Sequence, residues 1–259
     1  MAAFDAAAAE FEASLAEPWN RLKYDLALDN LIGHLPPATP GGRCVLDAGG
    51  GTGELGLRLL ARGACRDLTL LDPAPAMLAI AREKAARLGV AGRCRFVQAP
   101  LEGRAAALGA QRFDIALCHN VLEYVADPAA VARALAGVLR PGGVLSLLAM
   151  NADALPLVSL LLHGDPAGAL AHLGRDEHRN RFGIVARTFP PAALRALTEG
   201  AGLRVVAWYG VRMFYDYVAD PRKGEPAFYD AVAALERAVR ATDPYRGIGR
   251  DTQVLARAD

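Results

Sequence analysis

The residues best placed to do chemistry lie in one run, Val45 to Gly56, which reads VLDAGGGTGELG. Its glycines can be taken in two ways. Gly51, Gly53 and Gly56 space as G-x-G-x-x-G, the pattern of a dinucleotide site, while Gly49, Gly51 and Gly53 space as G-x-G-x-G behind an acid, Asp47. Gly50 lies inside the same turn. Either spacing predicts a sharp strand-to-helix turn, in which glycines let a ligand approach the backbone and helix N–H groups face it. The glycines alone do not choose between ligands.

The acid bears on the choice. A carboxylate beside the first glycine repels a pyrophosphate and suits a cation. S-adenosylmethionine carries an ammonium and a sulfonium and no phosphate, so Asp47 favours it over a dinucleotide. Asp72 ends the next apolar run, DLTLLD, at a spacing of about 20 residues, where an acid holds ribose hydroxyls of either nucleoside. With Pro73 behind it, Asp72 can also simply start the turn into a helix. His119-Asn120 closes the run FDIALCHN, so His119 either meets a ligand at the carboxyl edge of a sheet or caps the segment that follows. Cys44, Cys65, Cys94 and Cys118 are scattered without C-x-x-C pairing, and all four are expected as small buried hydrophobes in or beside strands, with no metal site.

These residues need elements to position them. From residue 42 onward, RCVLDA, DLTLLD, RCRFVQA, FDIALCHN and GVLSLLAMN alternate with the helical patterns ELGLRLLARG, AMLAIAREKAARLG and PAAVARALAGVLR. Strands separated by 10 to 15 residues of helix imply crossovers and a parallel sheet, and continuous apolar strands imply burial on both faces. Gly89 is expected to stop the second helix, and Pro141-Gly142-Gly143 the one before GVLSLLAMN. Ahead of this core, Phe4 to Leu35 reads as one or two amphipathic helices closed by Pro36-Pro37. After it, Asn151 to Arg187 breaks the alternation with an apolar helix, ALPLVSLLLHG, and a polar, basic stretch. The alternation resumes through PPAALRALTEGAG, LRVVAWYGVRMF, AFYDAVAALERAVRA and TQVLARA. The chain divides accordingly into an N-terminal helical cap (1–37), a nucleoside-binding α/β core (38–151), an insertion or lid (152–187) and a C-terminal part of the same domain (188–259).

The 259 residues fit one large α/β domain, with 53% hydrophobic and 22% charged residues as in ordinary globular proteins. A formal net charge of +1 supplies no global field toward nucleic acid or membrane, so a polyanion would need a local patch. The acidic opening segment lacks the basic-then-apolar order of a secretory signal, and no run approaches the roughly 18 apolar residues of a membrane span. A cytoplasmic protein with no membrane partner is expected.

Taken together, VLDAGGGTG, Asp72, FDIALCHNVLEYV and LRPGGVLSL resemble a class I S-adenosylmethionine-dependent methyltransferase over residues 42–150. The resemblance implies a Rossmann-like α/β fold: a mostly parallel seven-stranded sheet with an antiparallel last strand, supplied by TQVLARA, and helices on both faces. It implies S-adenosylmethionine as cofactor, with Gly49, Gly50, Gly51 and Gly53 at the methionine portion beside Asp47 and His119, Asp72 and Pro73 at the ribose, and Ala99, Pro100 and Leu101 along the adenine. Many family members carry Asp at that last turn. Here QAPLEG leaves adenine recognition to backbone groups or Glu102.

Outside the core, GVRMFYDYV, FDAAAAEFEASL and DPYRGIGR are similar to the bacterial tRNA methyltransferase family that esterifies uridine 5-oxyacetic acid at the wobble position. That similarity implies a tRNA anticodon loop as partner, Arg212 on the substrate carboxylate and Tyr215 and Tyr217 against the base. Tyr215 stands where the family resemblance suggests histidine. Lys23, with Arg21 as fallback, would take the donor's carboxylate, and Arg175, His178, Arg179, Arg181 and Arg187 would reach phosphates from the insertion. The chain lacks the Asn-Pro-Pro-Tyr and Pro-Cys signatures of amino-group and pyrimidine carbon-5 methyltransferases. Three alternatives remain open: a small-molecule carboxyl, O- or N-methyltransferase, a non-catalytic donor-binding protein and a dinucleotide oxidoreductase.

Overall fold

Five runs form the parallel part of one sheet: β1 (Cys44–Ala48), β2 (Asp67–Asp72), β3 (Cys94–Gln98), β4 (Phe113–His119) and β5 (Leu139–Met150). The computed structural model describes residues 2–38, 41–101, 108–179 and 183–259. After the small antiparallel hairpin of β6 (Glu177–Arg179) and β7 (Val185–Arg187), β8 (Arg204–Val211) and β9 (Asp251–Arg257) complete the main sheet. Its order is β3-β2-β1-β4-β5-β9-β8. The last strand is antiparallel as expected, and it sits between β5 and β8, antiparallel to both.

Every residue of β1 is buried, as is β4 up to Cys118, which explains why these strands read as unbroken apolar runs and not as alternating ones. On one face, Leu46, Phe113, Leu145 and Leu147 pack with Leu135 and Leu194 from the helices Pro128–Ala136 and Pro191–Gly200. On the other, Val45, Ile115 and Leu117 pack with Leu28, Leu57 and Leu60 from Pro18–Ile32 and Glu54–Ala61. The strand order reverses between β1 and β4, so their carboxyl ends diverge and open a crevice.

Several local expectations are revised. The N-terminal segment forms three helices, Ala2–Ala6, Ala8–Ser14 and Pro18–Ile32; the third begins at Pro18, which lacks the N–H that a continuing helix needs and starts a new one instead. The third is not amphipathic. Leu22 and Leu26 face Tyr229 and Ala233 of the helix Pro226–Val239, Tyr24, Leu28 and Leu31 on the opposite side pack on Val45 and Leu255 of the sheet, and Asn30 donates to Gln253 Oε1 of β9 at 2.8 Å. A helix covered on both sides needs apolar residues all round and satisfied polar ones. The helix Pro128–Ala136 ends at Gly137, ahead of Pro141-Gly142-Gly143. That triplet instead forms a bulge in β5, where the register passes from Phe113↔Leu139 to Ile115↔Val144.

ALPLVSLLLHG is a helical turn, Leu155–Leu157, followed by a wider π-helical turn, Val158–Leu162. Cys44, Cys65 and Cys118 are buried and Cys94 half-buried, all four as free thiols. No helix among the described residues is long and apolar enough to cross a membrane.

Candidate active site

The crevice at the carboxyl ends of β1 and β4 is a cavity of about 440 Å³. Its floor is the β1–helix turn with Asp47, Gly49, Gly50, Gly51 and Thr52. Asp72 and Pro73 stand on one side, Pro100 and Leu101 beyond them, and His119, Asn120 and Lys23 on the other. The N-terminal helices roof it with Phe4 and Phe11. They are held down by Asp5, which accepts from Ala76 N–H at 2.8 Å, by the Glu12–Lys84 ion pair at 3.1 Å and by Phe4 edge-on against Tyr124.

The turn itself explains the glycines. Gly49 has a φ of 71°, and a Cβ there would lie 2.5 Å from Val121 Cγ2, so both conformation and space demand glycine. Gly53, also at positive φ, precedes the first turn of Glu54–Ala61 and does not line the cavity. Gly56 belongs to packing: a Cβ would meet Asp47 Oδ2 at 2.7 Å and Leu68 at 2.9 Å. Gly49 and Gly51 therefore belong to the ligand-facing turn, whereas Gly53 and Gly56 let the helix Glu54–Ala61 lie close on β1 and β2.

The two acids are built differently. Asp47 is buried and accepts one bond, from Gly56 N–H at 3.2 Å. Burial raises its carboxyl to about 7 against the lowering effect of that bond, and Asp72 nearby adds to the rise. A carboxylate so poorly compensated is stabilised in its charged form by a neighbouring cation. Asp72 accepts from Gly51 N–H at 2.9 Å and from Ala74 N–H at 2.8 Å, so it ties the glycine turn to the next helix. Burial raises its carboxyl too. Both of its oxygens keep lone-pair capacity for hydroxyl donors.

On the opposite wall Lys23 Nζ donates to Asn120 Oδ1 at 3.2 Å. Lys23, and not the exposed Arg21, faces the cavity; Arg21 lies over the Tyr229 ring. His119 Nε2 shares a 2.8 Å hydrogen bond with Ser146 Oγ, and its Nδ1 is buried with no hydrogen-bond partner. Burial first, then the charge of Lys23, lowers this imidazole to about 3, so it is neutral at physiological pH and unsuited to stabilising an anion as imidazolium.

Behind Asn120 lies a buried polar network that carries the remaining candidates. Asn120 Nδ2 donates to Glu123 Oε1 and to Asp251 Oδ1, each at 3.1 Å. Asp251 Oδ2 accepts from Arg212 Nη2 at 3.2 Å. Burial pushes the Asp251 carboxyl up, but Arg212, Lys23, Asn120 and Arg250 together hold it below its usual range. Arg212 also pairs with Asp216 at 3.3 Å and lies over the Trp19 ring. It is therefore no solvated strand-end charge. It stands one side chain beyond the cavity wall, joined to it through Asp251 and Asn120.

Tyr215 departs from the expectation of a base-stacking surface. Its ring is buried among Leu22, Leu26 and Tyr229, edge-on to Tyr229, with its hydroxyl donating to Lys223 C=O at 3.1 Å. A ring covered on these sides offers no face to an acceptor. Tyr217 keeps a buried hydroxyl without a partner beside the Arg212 cluster. In the insertion, Arg175 and Arg179 are exposed and His178 and Arg187 half-buried. Glu102 and Arg181 lie outside the described residues. Sequence reasoning assigned no role to Asn120, Glu123 or Asp251. The adjoining His119 marked the place of Asn120, but nothing local in the sequence signals that it meets Asp251 131 positions later. Among the described residues no three His, Cys, Asp or Glu side chains cluster as a metal site would require.

A family model described as a methyltransferase domain matches residues 46–145. The chain is 34% identical over 215 residues to the tRNA 5-carboxymethoxyuridine methyltransferase of Escherichia coli (strain K12), covering 82% of this chain and 79% of that one. It is 30% identical over 170 residues to the ubiquinone biosynthesis O-methyltransferase of Aeromonas salmonicida, covering 66% of each. Among solved structures, an S-adenosylmethionine-dependent methyltransferase from Thermotoga maritima superposes with a TM-score of 0.65 at 17% identity, over 99% of this chain and 98% of that one. One from Mesorhizobium loti does so with a TM-score of 0.58 at 19% identity, over 89% and 97%. At such identities the structural likeness speaks to the fold.

Proposed function

The chain belongs to the S-adenosylmethionine-dependent methyltransferases, and from that premise we propose that it methylates the carboxylate of 5-carboxymethoxyuridine at the wobble position of tRNA. The likeness to the Escherichia coli enzyme over four-fifths of both chains carries this reading. The buried Arg212, set next to the donor cavity through Asp251 and Asn120, supports it as a partner for an anionic acceptor.

The cavity's residues fit the donor by charge. Lys23 pairs with the donor's carboxylate and Asp47 faces its cationic end, beside Gly49, Gly50 and Gly51. Asp72 accepts from the ribose hydroxyls, and Pro73, Pro100 and Leu101 supply apolar surface to the adenine. S-adenosylmethionine, when bound, supplies an electrophilic methyl group on a sulfonium. That methyl group would pass to a carboxylate oxygen of the acceptor, leaving S-adenosylhomocysteine as the other product. No proton leaves, so no general base is required, and alignment supplies the rate. The helices between residues 2 and 32 cap the donor, and the insertion covers the acceptor with the exposed Arg175 and Arg179 toward the RNA.

Incubation with methyl-labelled donor and tRNA bearing 5-carboxymethoxyuridine tests the proposal. Label should enter the RNA as an ester lost in mild base, and the absence of transfer removes the assignment. A second reading, a small-molecule O-methyltransferase, draws on the ubiquinone-pathway relatives and on the near-neutral net charge. RNA affinity that ignores salt would favour it, because phosphate contacts make affinity fall as salt rises.

A further inference from the structure

The chain holds one of its own carboxylates between two arginines beside the donor cavity. Asp216 Oδ2 lies 3.3 Å from Arg212 Nη1 and 3.6 Å from Arg250 Nη1. Both are ion-pair separations, yet the same oxygen makes no hydrogen bond, although it is buried. By contrast, Asp251 accepts a hydrogen bond from the other terminal nitrogen of Arg212. Arg212 Nε and the Tyr217 hydroxyl are also buried without partners. A charge-assisted arginine–carboxylate contact is normally shorter and often bidentate, and buried donors left unpaired in a native site call for a physical explanation.

The surroundings set Asp216 apart from an ordinary structural counter-ion. Arg212 already has Asp251 as a fully buried partner. Arg250 is three-quarters buried and its guanidinium is disfavoured first by that burial and then by Arg212 itself. Two like charges are thus brought together around a third group that satisfies neither well. Asp216 rides on the short turn Tyr215–Tyr217. That turn is fastened at its leading end, where Glu236 accepts from the N–H groups of Met213, Phe214 and Tyr215 at 2.8, 2.9 and 3.0 Å. The π-helical turn of the insertion packs directly against it.

We propose that Arg250 and Arg212 together form the binding site for the acceptor's carboxylate, and that Asp216 occupies this site in the free enzyme and gives way when the acceptor enters. The inference rests on the carboxylate-acceptor reading above and adds to it a second arginine and an internal competitor. An incoming carboxylate that reaches Arg212 Nε, Arg250 and the Tyr217 hydroxyl satisfies donors that Asp216 leaves unpaired. Asp216 then also discriminates, since a neutral acceptor cannot replace its charge between two buried guanidinia.

The test uses the full chain with tRNA bearing 5-carboxymethoxyuridine, and measures S-adenosylhomocysteine affinity alongside turnover. Arg250→Ala should raise the acceptor KM about tenfold or more, the loss expected for one charged hydrogen bond, with S-adenosylhomocysteine binding unchanged. Arg250→Lys, which keeps the charge and the fold, should recover part of that loss. Asp216→Asn should lower the acceptor KM and strengthen inhibition by acetate, a free carboxylate probe. An acceptor KM unmoved in Arg250→Ala, or raised in Asp216→Asn, overturns the inference while the wild-type ester product stands. Should Asp216→Asn fail to fold, the two Arg250 variants decide. A wild-type enzyme that makes no ester overturns the carboxylate-acceptor reading itself, and this inference with it.

Discussion

Asn120 and Arg212 share one carboxylate, Asp251, each bonded to a different oxygen at 3.1 and 3.2 Å. Among the described residues they are also the two non-glycine residues with positive φ, 52° and 61°. Asparagine tolerates the left-handed region, but a long side chain there costs on the order of 1–3 kcal/mol, and such strain collects at functional sites. At Arg212 the positive φ coincides with a buried guanidinium bonded to Asp251.

Removing the shared acid should therefore be costly. In Asp251→Ala, Arg212 and Lys23 lose a buried counter-charge, and breaking a buried pair from one side costs about 3–5 kcal/mol. Urea unfolding should show that loss. A change below about 1 kcal/mol would mean that Asp216 or water compensates fully.

Asp47 gives a pH dependence with a definite sign. Its carboxyl stands at about 7 in the free protein, and a cationic donor binds its ionised form. Below pH 7 donor binding must first release a proton, so affinity should weaken by up to about tenfold per unit as pH falls toward 5. Asp47→Asn should flatten this profile and weaken binding at pH 8. Titration calorimetry across pH 5 to 8 checks both.

The same group links to stability. A carboxyl raised in the folded state contributes stability that is present below its unfolded value, near 3.8, and is lost as pH rises through about 7. At pH 8 the buried charge is a net cost, so Asp47→Asn in the ligand-free protein should melt higher than wild type, by about 2–4 °C for each kcal/mol released. Equal melting temperatures at pH 8 would show that the charge is already compensated.

Gly49 should be irreplaceable for a steric reason that can be tested by compensation. Gly49→Ala drives a Cβ to 2.5 Å from Val121 Cγ2 and strains a φ of 71°, so donor affinity should fall by at least about tenfold, the equivalent of 1.4 kcal/mol. Val121→Ala in the same chain should return the steric part and leave the conformational part. No recovery in the double variant would assign the whole effect to φ.

Asp72 and Arg212 should separate in kinetics. Asp72→Ala removes acceptors for Gly51 and Ala74 N–H and should weaken S-adenosylhomocysteine binding. Arg212→Ala should spare that binding and damage turnover on a carboxylate acceptor. Equal loss of donor affinity in both refutes the division of roles.

The amino-acid sequence by itself determined the parallel sheet, the turn after β1 and the acid ending β2. Each is written in local periodicity or short spacing: doubly buried strands as unbroken apolar runs, the turn as glycines that conformation or close contact demands. It also carried the resemblance that points to a methyl donor. Only the tertiary structure decided that Asn120 at the end of β4, Asp251 at the start of β9 and Arg212 just beyond β8 meet behind the cavity wall, since their register is set by sheet order and by the antiparallel insertion of β9. It likewise buried Tyr215, whose ring packs on Tyr229 of a helix later in the chain and on Leu22 and Leu26 of an earlier one. Buried polar pairings between distant segments leave no periodic trace, because their energy depends on which groups three dimensions bring within about 3 Å.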